Sequence, residues 1–108
     1  MKNSINLFDQ LNWENADNYP EGTLKKTLRD GIGARTILLK IPAGFRMEPH
    51  SHITTEQILL LKGAFTSDGR TYQEGSYLLF NAHEEHGPFY SEEGALLMVI
   101  WDPYKTSE

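Results

Sequence analysis

The sequence predicts an all-β domain, a sandwich or barrel, and three observations carry that prediction. Glycine-centred turns punctuate the chain at Asp30-Gly31-Ile32-Gly33, Pro42-Ala43-Gly44, Lys62-Gly63, Asp68-Gly69, Glu74-Gly75, His86-Gly87-Pro88 and Glu93-Gly94. Between them lie short segments rich in branched and aromatic residues, the pattern of strands joined by tight turns. Helical periodicity is nearly absent: Leu7, Phe8 and Leu11 suggest one turn before Asn, Asp and Pro interrupt it.

In chain order, the first expected strand is Ala34–Ile41, set between two glycine turns. Residues 56–61 form the next. Residues 64–66 and 70–72 flank Asp68-Gly69, a hairpin signal because both positions of a type I′ turn need positive φ. Residues 76–80 and Ala95–Trp101 complete the set. Three of these segments are apolar on both faces: Ile37-Leu38-Leu39, Ile58-Leu59-Leu60-Leu61, and the run from Leu96 to Trp101. A barrel strand hides one face inside, so its other face needs a cover. Ile58, Leu60, Phe80, Met98 and Trp101 are expected inside, with Leu59, Leu61, Leu97 and Val99 facing outward. The cover is then either the N-terminal segment (Leu7, Phe8, Leu11, Trp13) or a second copy of the chain, which predicts a homodimer.

Composition narrows the function classes. One domain spanning residues 1–108 suits a chain of 108 residues. With no cysteine there are no disulfides, thiolate nucleophiles or thiolate metal sites, which fits a reducing cytoplasm. The N-terminal ten residues do not read as a signal peptide, and no apolar run is long enough for a membrane span. Net charge is −5, and the densest basic cluster is Lys25, Lys26 and Arg29. That argues against nucleic acid as a partner, and against a membrane.

The chemistry concentrates in His50, His52, Glu56 and His86. Three imidazoles and a carboxylate suit a first-row divalent metal. On an extended chain His50, His52 and Glu56 share parity and project from one face. Left without a metal, such a buried cluster strands polar groups at about 1–3 kcal/mol each. The expected cofactor is one divalent transition metal per chain: iron, manganese, nickel or zinc.

These residues fall in a pattern that resembles the cupin superfamily. Its first motif runs glycine, His-x-His, glutamate, glycine, and Gly44, His50, His52, Glu56 and Gly63 fill each position at the motif's spacing. Gly75 and His86 match the second motif, where Asn81, His83 and Tyr90 replace its proline, glycine and asparagine. The resemblance covers roughly residues 34–101 and implies a single-domain cupin jelly-roll β-barrel, commonly dimeric, with residues 1–33 packing on the barrel. Asp68-Gly69, Tyr72, Gly75, Tyr77, His86-Gly87-Pro88-Phe89 and Ser91-Glu92-Glu93-Gly94 are similar to the cupin-like domain of zinc-binding anti-sigma factors. They are also similar to small dioxygenase-type cupins that cleave β-diketones or hydroxyacetophenones.

Other candidates are weaker. Arg46 and Glu48 share the parity of His50, and an inward Arg46 would hold an anionic or carbonyl group. Tyr77 and Tyr90 are candidate proton donors. His83-Glu84-Glu85-His86 fits neither zinc-protease pattern and reads as a solvated loop. Two functions follow. One is a metal-dependent enzyme, dioxygenase-type or a Lewis-acid lyase or isomerase, acting on a small chelating molecule. The other is a metal-containing ligand-binding or sensory module without turnover.

Overall fold

In a computed structural model the chain folds as an all-β cupin jelly roll, and the structure describes residues 4–102. The two ends of the expected 1–108 domain lie outside the described residues. Among the described residues nine strands occur in chain order: β1 Glu14–Asn15, β2 Leu24–Gly31, β3 Ala34–Ile41, β4 Phe45–Met47, β5 Glu56–Ser67, β6 Arg70–Gln73, β7 Tyr77–Phe80, β8 Phe89–Ser91 and β9 Ala95–Trp101. All pairings are antiparallel, in the order β1-β2-β3-β9-β5-β8-β4, with β6 and β7 also pairing with β5. Among the described residues no helix is present, so Leu7, Phe8 and Leu11 form turns and bends rather than a helical turn. None is therefore long and apolar enough to cross a membrane.

β5 closes the barrel because it belongs to both sheets. Its first half pairs with β7 and β9, and its second half pairs with β6 and β8. The switch falls at a bulge between Leu60 and Lys62. Gly63 follows it at φ 81°, where an added Cβ would lie 2.4 Å from the Gly94 carbonyl oxygen. Only glycine fits so close a backbone approach. The β5–β6 hairpin turns at Asp68 and Gly69, with φ of 52° and 79°, as a type I′ turn requires.

The core packs Ile37, Leu39, Ile58, Leu60, Phe65 and Phe89 with their neighbours inside the barrel. β9 departs from expectation. Leu97 and Val99 are 5% and 2% exposed and belong to the core, while half-buried Met98 takes the outer face. Register explains the reversal: Leu97 lies opposite Leu60 and Val99 opposite Ile58, and directly paired residues project to the same side.

The outer face is covered in part by the N-terminal segment of the same chain. Buried Lys26 makes an ion pair with Asp9 at 2.6 Å and lies over the Trp13 ring. Lys40 reaches the same ring and Lys62 reaches Phe8. These lysines lay their methylenes along apolar surface and hold the segment by cation–π contact. Away from it the outer face runs on through Leu59, Met98 and Ile100 to Tyr77 and Leu79, which are 54% and 51% exposed.

Candidate metal centre

Three histidines converge at the mouth of the barrel. His50 and His86 exchange both backbone hydrogen bonds, at 3.0 and 2.8 Å, as an isolated antiparallel pair. That pairing puts their side chains on one side, with ring centroids 4.5 Å apart. His52 arrives differently from the extended-strand expectation. β4 ends at Met47, and residues 51–55 form a bent loop before β5. The loop is pinned where the His83 amide donates to the His52 carbonyl at 2.6 Å. One donor atom from each of His50, His52 and His86 lies within 4.8 Å of the others.

Glu56, the first residue of β5, is buried and reaches this group through His52, with Oε2 2.7 Å from Nε2. The approach is not aligned as a hydrogen bond, so His52 Nε2 has no hydrogen-bond partner. Trp101 donates its Nε1–H to the same Glu56 oxygen at 3.0 Å and fixes the carboxylate. A single cross-strand row supports this arrangement: Asp30, Arg35, Trp101, Glu56 and Phe80 are successive register partners on β2, β3, β9, β5 and β7.

His86 is 6% exposed and stacks on Phe80 at 4.1 Å, and neither of its ring nitrogens has a partner. Burial pushes its pKa down to about 4, so the ring is neutral at pH 7 with a free lone pair. Buried polar atoms are almost always satisfied. Orphaned nitrogens on His52 and His86 beside a buried carboxylate are therefore what a metal's ligand set looks like before the ion is added. The donor set fits a divalent transition metal.

The candidate catalytic residues do not join this group. Arg46 and Tyr90 are exposed register partners on β4 and β8, on the face opposite core residues Phe45 and Phe89. Tyr77 is exposed on the outer sheet face and donates its hydroxyl to Gln57 at 2.6 Å. Their parity explains it: each neighbours a residue that fills the barrel, so each points outward. Glu48 is exposed, though its carbonyl lies 3.2 Å from His50 Nδ1. Glu84 and Glu85 are exposed, as expected for a solvated loop, and so is His83, at φ 67°.

Among the described residues, an inner and an outer space adjoin the histidines. Inside the barrel is a cavity of about 30 Å³ reached by His50, Glu56, Ile58 and Val99, with room for a water or two and no more. Outside is an open cleft of about 490 Å³, bordered by His52, Trp101, Arg35, Lys25, Asn18 and Thr54. That is the size of a small-molecule site. Tyr19 and Met47 line both and form the partition between them. Burial and the nearby Glu56 carboxylate push the Tyr19 phenol upward, so it stays a hydrogen-bond donor. Sequence reading missed Tyr19 and Arg35. Tyr19 sits in a polar Asp-Asn-Tyr-Pro turn, where a lone aromatic was the one available signal.

The fold and the histidine group define a small cupin with a candidate metal centre. A family model described as the ChrR cupin-like domain matches residues 2–105, and the chain belongs to that family. No curated protein is similar enough in sequence to match. Among solved structures, an RmlC-like cupin from Shewanella frigidimarina superposes with a TM-score of 0.76 at 18% identity, covering 90% of this chain and 87% of that one. The complex of Rhodobacter sphaeroides SigE with the anti-sigma ChrR gives 0.73 at 24% identity, covering 88% of this chain and 50% of that chain, so this chain spans half its length. An acetylacetone dioxygenase from Acinetobacter johnsonii gives 0.75 at 17% identity, covering 87% and 70%. At these identities the likeness is one of fold.

Proposed function

We propose that the protein is a mononuclear metal-dependent cupin in which His50, His52, Glu56 and His86 hold one divalent transition metal. The observation that carries this reading is the convergence of three histidines, two of which, His52 and His86, have buried nitrogens without hydrogen-bond partners. Iron, manganese, nickel and zinc all suit the donors. When bound, the metal would supply Lewis acidity toward an enolate or hydroxy-carbonyl, with redox chemistry added if it is iron, manganese or nickel. The chain's own residues do the rest. Trp101 orients Glu56, Tyr19 offers a protonated hydroxyl beside it, and the cleft admits a small molecule on the His52 side. A dioxygenase-type enzyme, or a Lewis-acid lyase or isomerase, acting on a small oxygen-rich chelating substrate is the reading this supports. A homodimer and a cytoplasmic location belong to the same proposal, supported by the apolar outer face and the absence of cysteine.

A second reading is a metal-containing ligand-binding or sensory module, favoured by the match to the ChrR cupin-like model. Elemental analysis of protein purified without a chelating tag tests the shared part. Near-stoichiometric metal, lost in His50→Ala and His86→Ala, is expected. A chain that neither retains metal nor is stabilised by iron, manganese, nickel or zinc would sink the site. Oxygen uptake when acetylacetone is added to iron-loaded protein supports the enzyme, whereas binding without turnover for every metal favours the module.

A further inference from the structure

We infer that the cleft between the N-terminal segment and the sheet binds a small aromatic carboxylate. The carboxylate meets Lys40 and Lys62, and the aromatic body lies among Phe8, Trp13 and Leu96. This site is separate from the candidate metal centre and does not depend on a metal being bound.

Register builds the floor. Lys40, Leu96 and Lys62 are successive partners across β3, β9 and β5, so one row carries a leucine between two lysines. Leu96 lies outside the core cluster and alternates with inward Ala95 and Leu97, which places it on the outer face. Along β9 the row is five residues from Trp101, about 17 Å at the rise of a strand.

The N-terminal segment forms the roof. The Phe8 ring lies 4.6 Å from Lys62 Nζ, and the Trp13 ring 5.1 Å from Lys40 Nζ. A segment that served only as a cover would set its rings flat on the apolar side chains beneath. Here the rings rest on ammonium groups, and an open cleft of about 540 Å³ remains between segment and sheet. That is room for a small molecule.

Charge decides what kind. The cleft is lined by Lys40 and Lys62 and by the carboxylates of Asp9 and Glu93. Asp9 is committed to Lys26, whose Nζ lies 2.6 Å from Oδ1 and 3.4 Å from the Asp9 carbonyl oxygen. Two cations are left against Glu93 alone. Among the described residues, no carboxylate comes within ion-pair distance of Lys40 or Lys62. An ammonium over a ring face uses only part of its three N–H groups, and the rest can donate to an anion. Aromatic walls and unpaired ammoniums together fit a ligand with a flat apolar body and a negative charge.

The test titrates the full-length protein, as purified, by calorimetry with 2-naphthoate. The uncharged control is 2-naphthamide, and acetate is the control without a ring. Naphthoate is expected to bind about tenfold or more tightly than either. In the double variant Lys40→Gln, Lys62→Gln its preference over the amide should shrink to about twofold or less, with amide affinity unchanged. Lys62→Gln alone, at an exposed position, should already reduce that preference about threefold. Lys40→Arg with Lys62→Arg should keep it. His86→Ala, a change at the candidate metal centre, should leave it untouched. Equal affinity of acid and amide, acetate as tight as naphthoate, or no binding by the wild type would overturn the inference. So would a preference that survives the double glutamine variant, or one lost in His86→Ala, which would assign the acid to the metal centre. None of these outcomes bears on whether the histidines hold a metal, which elemental analysis decides separately.

Discussion

His86 shows what burying a candidate ligand costs. Its pKa is lowered to about 4 by burial, against a value near 6.5 in the unfolded chain. Between those values the unfolded state takes up a proton that the folded, metal-free state refuses. Stability of the metal-free protein should therefore fall as pH drops from 6.5 to 4, and this residue adds no slope above 6.5. Urea unfolding of EDTA-treated protein at pH 7 and pH 5 measures the drop, which should be smaller in His86→Gln. An equal drop in the variant would assign the pH dependence elsewhere. Trp101 offers a second residue-scale test. Its Nε1–H holds the Glu56 carboxylate, so Trp101→Phe should weaken metal affinity about tenfold through the freed carboxylate. Competition against a chromophoric chelator reads this out, and unchanged affinity would argue against Glu56 as a ligand.

At the scale of elements, β5 decides the fold because one strand must serve two sheets. The bulge after Leu60 turns it, and Gly63 lets the Gly94 backbone pass against it. Gly63→Ala introduces both a strained φ and a 2.4 Å clash with a backbone oxygen, which cannot move as a flexible side chain would. A loss of about 2 kcal/mol or more is expected from denaturant unfolding. A loss below about 0.5 kcal/mol would mean the bulge relaxes easily.

The same element shows what was legible in the sequence. Ala34–Ile41 and Ala95–Trp101 are strands with the bounds their turns predicted, because branched apolar runs between glycines have no other stable use. β5 continues past residue 61 through Lys62 and Gly63, since a bulge looks like a turn in sequence. β2 went unread because Lys25, Lys26 and Arg29 interrupt the branched and aromatic pattern that marks the other strands. Lys26 is instead buried by Trp13 and Asp9, partners distant in sequence. The histidine group was legible from residue type and spacing, yet the mechanism of convergence was not. A bent loop and the His50–His86 backbone pair bring the rings together, and tertiary hydrogen bonds leave no local signature.

At the scale of the whole molecule, the unresolved apolar surplus is the outer face of the β9–β5–β7 sheet. The expected outward set of Leu59, Leu61, Leu97 and Val99 is corrected to Leu59, Leu61, Met98 and Ile100, but the surplus itself persists. The N-terminal segment covers the side near Lys26, Lys40 and Lys62 and stops short of Tyr77 and Leu79. Two cross-strand rows lead to that uncovered edge: Leu38, Met98, Leu59 and Tyr77 in one, Thr36, Ile100, Gln57 and Leu79 in the other. Isologous packing of this face on a second copy would bury both rows at once. A standard interface covers about 800 Å² per partner. Apolar burial at about 25 cal/mol per Å² works against an association cost of about 4–15 kcal/mol, so the strength of such a dimer depends on how well the two rows pack. Sedimentation of the wild type should give a dimer. Leu79→Lys, at a site already exposed in the protomer, should give a monomer with unchanged far-ultraviolet circular dichroism. A wild-type monomer at tens of micromolar would refute the dimer and leave Tyr77 and Leu79 as ordinary exposed side chains.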